Sequence, residues 1–229
     1  MKKIVVAGRN DSGKSTLIGE IYKGLRIKEY FPLIVGSGTQ DEKPYIQKGI
    51  HPAYLTIAAP EPGRDLAEDL DKIITTHINQ MREKNRLIQH ARKTLEELNK
   101  VRQVLDLGNI QQKDLPPAVN LPNVVVAEAV GINDGYKSVE CQTEADILIT
   151  VIPAGIKNEI LMEAGSILLD EATILVVTKM DNTPREIANT NLKMLRRIYP
   201  QKPIIPLIAT SGVRTELLLE ELGQKLNPA

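Results

Sequence analysis

Gly8-Arg9-Asn10-Asp11-Ser12-Gly13-Lys14-Ser15 matches G-x-x-x-x-G-K-S/T, a spacing whose residue types suit the handling of phosphate. Glycines let the backbone turn without Cβ clashes, so consecutive N–H groups point inward at phosphate oxygens. In that pattern Lys14 reaches the β- and γ-phosphates, and the Ser15 hydroxyl ligates Mg²⁺. The context agrees with the motif. Lys3-Ile4-Val5-Val6-Ala7 reads as a buried strand, and Thr16-Leu17-Ile18-Gly19-Glu20-Ile21-Tyr22 carries apolar residues at helical spacing. Strand, glycine loop and helix together predict a nucleoside triphosphate site, with unpaired amides and partial positive charge at the helix start.

Three further segments carry compatible chemistry. Thr178-Lys179-Met180-Asp181 follows the apolar run Thr173-Ile174-Leu175-Val176-Val177 and is a T-K-x-D variant of the guanine-reading N-K-x-D. Asp181 would accept from N1–H and the 2-amino group of guanine, while the stem of Lys179 lies along the base. Adenine offers neither donor pair, and such a polar mismatch discriminates by about 10⁴-fold or more. Ile208-Ala209-Thr210-Ser211-Gly212 resembles the S-A-K/T-S-G loop of GTPases, in which the alanine N–H meets guanine O6, although Ile208 replaces the serine. Glu128-Ala129-Val130-Gly131 closes the run 123–127. There Glu128 can hold Mg²⁺ through water or orient an attacking water, and the Gly131 N–H can bond a γ-phosphate.

These residues need a scaffold that brings loops together. Short Val/Ile/Leu runs recur at 3–7, 32–35, 54–58, 123–127, 146–152, 173–178 and 203–208, separated by helix-patterned segments. Continuous apolar runs without alternation predict strands buried on both faces. The expected fold is therefore α/β, a P-loop nucleotide hydrolase with a mostly parallel seven-stranded sheet covered by helices on both faces. Polar or glycine loops follow the strands at their C-terminal ends, the edge where such sheets hold ligands. Residues 1–229 are read as a single domain, with a helical insertion over 65–122. Within it, 65–107 is charged and helical, with a weak patch at 82–86, and is read as two helices or one long kinked helix closed by Gly108. The stretch 109–122 then leads back to the sheet. A two-helix hairpin packed on the domain and a projecting arm for a partner or second subunit both fit.

Composition narrows the classes. Lys plus Arg and Asp plus Glu are 29 each, so no net field points to nucleic acid or an anionic membrane. No tryptophan is present, which argues against stacking platforms for single strands. The one cysteine, Cys141, excludes an internal disulfide. The segment before the first strand is too short for a signal peptide, and no apolar run approaches the about 18 residues of a membrane span. The expectation is a cytoplasmic protein that binds neither nucleic acid nor membrane.

In this order, the motifs resemble the metallochaperone-type branch of SIMIBI-class P-loop GTPases. That branch includes the hydrogenase nickel-incorporation GTPase, the urease accessory GTPase and the chaperone GTPase of methylmalonyl-CoA mutase. These carry E-N/S/T-V/G-G at the second switch, which Glu128–Gly131 resembles with Ala129 at the second position. Gly36-Ser37-Gly38-Thr39-Gln40-Asp41, continuing through Ile46-Gln47-Lys48-Gly49-Ile50, looks like the family's first-switch region. The resemblance implies a GTPase using GTP and Mg²⁺, with Lys14, Glu128 and Asp41 as catalytic candidates and Ser15 and Glu128 as metal ligands. The implied nucleotide-binding set is Gly8, Asp11, Ser12, Gly13, Lys14, Ser15, Thr16, Gly131, Thr178, Lys179, Asp181 and Ala209. It further implies a homodimer that couples nucleotide state to the maturation, or metal or cofactor loading, of a partner metalloenzyme or cofactor-dependent enzyme.

The chain also departs from that pattern. Glu61-Pro62-Gly63-Arg64-Asp65 stands where nickel-type members carry a Cys-His motif, and the first-switch aspartate appears as Ser37 or is displaced to Asp41. Cys141 could supply a soft metal ligand from each of two copies, although a lone cysteine is commonly inert. His51, His77 and His90 form no ligand pair by spacing. No arginine finger is evident, and Arg9 could act across a dimer interface. An ATP-dependent small-molecule kinase or ligase of the same superfamily, and a nucleotide-bound scaffold without turnover, are the competing readings.

Overall fold

The computed structural model describes residues 1–36, 53–54, 66–111, 115–129, 145–161 and 167–227. Its centre is a parallel sheet of seven strands in the order β3-β2-β4-β1-β5-β6-β7. The strands are β1 (Lys2–Gly8), β2 (Pro32–Gly36), β3 (Ala53–Tyr54), β4 (Val124–Glu128), β5 (Ile147–Pro153), β6 (Ile174–Thr178) and β7 (Ile204–Pro206). Six of these are full strands, and β3 is a two-residue pairing against Val35 and Gly36 at the sheet edge. Of the expected strand 54–58, Tyr54 belongs to the ladder, and 55–58 lie outside the described residues.

Both faces of the sheet are buried, as the unbroken apolar runs require. Along β1, Val5 and Ala7 join one core cluster while Ile4 and Val6 join the other. Helix α1 (Lys14–Ile27) covers the second face with Leu17, Ile18 and Ile21, and α6 (Thr215–Leu226) adds Leu218 and Leu222. The first face takes α4 (Ile167–Glu171) and α5 (Arg185–Ile198), with the short α3 (Asn158–Leu161) beside them. Gly24 allows α1 and α6 to approach closely, because a Cβ there would fall 2.1 Å from a methyl of Leu219. Sheet register is anchored at its base by Asp146, which accepts from the Lys3 amide at 2.7 Å and from Lys2 Nζ at 3.2 Å.

Helix α2 (Leu66–Val104) is one helix of 39 residues. The weak patch 82–86 does not end it, because Arg, Glu and Lys are good helix formers and their polarity marks only an exposed stretch. Its first turns pack on the sheet through Leu70 and Ile74, and Lys3 Nζ pairs with Asp71 at 2.7 Å. From Glu83 onward Ile88 is the one buried residue of the helix. Among the described residues the segment that returns is not a second helix. Two asparagines hold it against α2. Asn85 Nδ2 donates to Val119 O and its Oδ1 accepts from Val119 N, both at 2.7 Å. Asn99 does the same with Ile110 O and N at 2.9 and 2.8 Å. Among the described residues this stretch is one long helix with a returning strap and not a two-helix hairpin.

Candidate nucleotide site

The loop between β1 and α1 is shaped by positions that tolerate unusual backbone. Gly8 has φ +147, and a Cβ there would sit 2.5 Å from Val151 O on the neighbouring strand, so only glycine fits. Gly13 has φ +93 and Asp11 φ +56, and Ser12 N donates to Arg9 O at 3.2 Å to close the turn. Helix α1 starts directly at Lys14. It has no side-chain cap and no acidic residue in its first turn. Its first amides thus face the loop without the usual internal competitor, which favours an anion there.

Inside the loop, Lys14 is buried and its Nζ donates to Gly8 O at 3.1 Å and Arg9 O at 2.8 Å. The Ser12 hydroxyl is buried among its neighbours without a hydrogen-bond partner. A buried hydroxyl left unpaired is costly. Ser15, one residue into α1, donates from Oγ to Glu128 Oε1 at 2.6 Å. Glu128 ends β4, is buried, and is in register with Val6 of β1, which places its carboxylate beside the loop. A hydroxyl and a carboxylate at that separation are the hard oxygen donors that Mg²⁺ takes, together with waters and phosphate oxygens.

The loop after β6 is joined to the phosphate loop. Thr178, also buried, donates from Oγ1 to Ser12 O at 2.6 Å. Lys179 has φ +56, and its carbonyl accepts from Asn182 N and Thr183 Oγ1, which holds the turn bearing Asp181. The next loop along the edge, after β7, is closed by the pairing of Ile208 with Val213, and Ala209 within it is buried. An apolar cavity of about 190 Å³ lies between these loops, lined by Met180, Leu207, Ile208 and Val213.

Of the residues singled out by sequence, Gly8 through Thr16, Glu128, Thr178 to Asp181 and Ala209 all lie at the C-terminal edge of the sheet. Direct contacts join Ser15 to Glu128 and Ser12 to Thr178. Asp41, Gly131, Ser37, Cys141 and the segment 61–65 lie outside the described residues. Among the described residues no group of three His, Cys, Asp or Glu is positioned for a metal ion. His77 instead lines a cleft of about 320 Å³ with Tyr22, Arg26 and Phe31, where α1, α2 and the start of β2 meet.

Lys157 is absent from the sequence-derived set. It lines a cavity of about 530 Å³ beside the loop, together with Arg9, Asp11 and Lys179. Its segment is fastened by buried Asn191, whose Nδ2 donates to Ala154 O and Ile156 O at 2.8 and 2.9 Å. The one sequence signal for Lys157 is its place in the loop after a buried strand.

No protein-family model matches the sequence, and neither does any curated protein. Solved structures do match the fold. The hydrogenase maturation factor HypB from Archaeoglobus fulgidus aligns over 99% of this chain and 91% of its own, with TM-score 0.59 and 13% identity. HypB from Helicobacter pylori, solved in complex with nickel, aligns over 99% and 87%, with TM-score 0.60 and 13% identity. A GTPase in apo form from Pyrococcus abyssi aligns over 100% and 98%, with TM-score 0.52 and 14% identity. The chain shares its fold with these structures. Among the described residues no helix is long and apolar enough to cross a membrane.

Proposed function

We propose that this P-loop chain is a GTP-binding, slowly GTP-hydrolysing accessory protein that acts as a homodimer on a partner metalloenzyme or cofactor-dependent enzyme. The observation that carries the reading is the 2.6 Å contact of Ser15 with Glu128 beside an uncapped helix start and a buried lysine. In this reading, triphosphate entry turns Lys14 from two neutral carbonyls to charged phosphate oxygens, a stronger charge-assisted bond. The first amides of α1 and the Ser12 hydroxyl gain acceptors at the same time. Ser15 and Glu128 would hold Mg²⁺, which would neutralise charge on the triphosphate. Asp41 and Gly131 would complete the γ-phosphate end and couple the two switch segments to the nucleotide. Asp181 selects guanine, Lys179 covers the base and the Ala209 amide meets its O6.

The accessory role is supported by the likeness to hydrogenase maturation factors, and nickel itself is left out because no Cys-His motif stands at 61–65. A small-molecule kinase is the second reading. It is favoured by the cavity lined by Arg9, Asp11, Lys157 and Lys179, whose three cations suit an anionic acceptor beside the phosphate loop.

Asp181→Asn separates these readings. Its amide can donate to O2 of xanthine, so preference is expected to move from GTP toward XTP, measured by competition against a fluorescent nucleotide. Unchanged selectivity, or a wild type that prefers ATP, would sink the guanine assignment.

A further inference from the structure

We propose that the distal half of α2 is a coiled-coil seam that pairs, parallel and in register, with the same segment of a second copy of this chain. The inference rests on the arm alone and not on the nucleotide reading. Leu87, Ala91, Thr94, Leu98, Val101 and Leu105 follow each other at alternating spacings of four and three, the a/d pattern of a two-stranded coil. Leu98, Val101 and Leu105 are 45%, 56% and 62% exposed, far more than an unpartnered core-type stripe tolerates without a role. The strap does not cover this stripe. It is held by Asn85 and Asn99, on a helix face about 120–160° around from the stripe at 3.6 residues per turn.

Charge complementarity selects a second copy over a foreign helix. With Leu98 and Leu105 at a and Val101 at d, Glu97 falls at g and Arg102 at the following e. In a parallel in-register pair, g of one helix meets e of the other five residues on, so Glu97 of each copy faces Arg102 of its mate. Arg102 is already steadied, since its Nε donates to Gly108 O at 2.7 Å. Orientation follows from where the apolar residues lie. An antiparallel pair setting Leu87 against Leu98 would put Val101 against Lys84, whereas a parallel pair stacks Leu98, Val101 and Leu105 on themselves. The seam from 87 to 105 is only about 28 Å long, so association is expected to be weak and concentration-dependent.

Sedimentation equilibrium of the full chain, from about 1 to 100 µM and with and without GTP, reads this directly. A monomer–dimer equilibrium is expected, weakened about tenfold or more by Leu98→Glu or Val101→Glu, with nucleotide affinity unchanged. Glu97→Arg and Arg102→Glu are each expected to weaken it, and the double reversal to restore it, an effect that loss of helix packing would not produce. In a Cys141→Ser background, Val101→Cys is expected to form a disulfide-linked dimer on oxidation, and Gln89→Cys on the opposite face is not. A monomer at every concentration, a dimer indifferent to these substitutions, no rescue by the double reversal, or equal cross-linking at Gln89 would each overturn the proposal.

Discussion

The hydroxyl of Thr178 donates to Ser12 O at 2.6 Å, so the loop after β6 and the loop after β1 form one unit. The two are so close that a Cβ on Gly13 would lie 3.7 Å from the same hydroxyl. Threonine in place of the asparagine of N-K-x-D thus has a structural reason: its short side chain reaches the carbonyl directly.

Thr178→Val keeps the shape of the side chain and leaves Ser12 O without its donor. A loss of about 1–3 kcal/mol of stability is expected, measured by denaturant unfolding, along with weaker triphosphate binding. Thr178→Asn, which restores the longer amide donor, is expected to lose less. Equal losses for both variants would mean that the hydrogen bond is not what links the loops.

Glu128→Gln retains an acceptor for Ser15 and removes the charge. Calorimetry with and without Mg²⁺ is expected to show the Mg²⁺-dependent gain in GTP affinity reduced by about 10- to 100-fold, with the Mg²⁺-free affinity unchanged. A variant that responds to Mg²⁺ as the wild type does would remove Glu128 from the metal site.

Asn85→Ala and Asn99→Ala each delete a two-bond clamp on the strap. The amides of Val119 and Ile110 respectively are expected to lose hydrogen-exchange protection, at about 0.5–1.5 kcal/mol per bond. The global unfolding midpoint is expected to move little, because few side chains of this region are buried. A large midpoint shift would show that the arm is part of the cooperative core.

Asp146 gives the chain an acid-sensitive contact. Partial burial pushes its carboxyl up, but the Lys3 amide and the Lys2 ammonium outweigh that and hold it below its ordinary value of 3.8. A depressed folded value means that the stabilisation is present above the ordinary value and lost as pH falls through the folded one. Asp146→Asn is therefore expected to be less stable than wild type at neutral pH and to converge with it in strong acid. Parallel acid profiles for the two proteins would refute this.

The parts legible in the sequence are those set by local pattern. Ile4 to Ala7, Val124 to Ala127 and Ile174 to Val177 read as strands because both of their faces are covered, which removes polar alternation. Gly8 and Gly13 are legible because positive φ and a close neighbour demand glycine. Asn85 and Asn99 are not legible as clamps, since their partners are backbone atoms at Val119 and Ile110 that no side-chain pattern announces. Lys14 resting on Gly8 O and Arg9 O is hidden for the same reason. Lys157 escapes because its position depends on Asn191, 34 residues later in the chain.

The central place of β1 bears on how the chain folds. It precedes the other strands in the sequence, yet its neighbours begin at Val124 and Ile147. The wall against which Gly8 turns is Val151 O, 143 residues later in the sequence, and the donor from Thr178 comes later still. The loop after β1 therefore waits for distant partners, the long-range closure that slows folding of parallel sheets. A segment ending before Val151 lacks that wall and one ending before Thr178 lacks the tie, so the phosphate cradle takes its final form only when the far strands join the sheet.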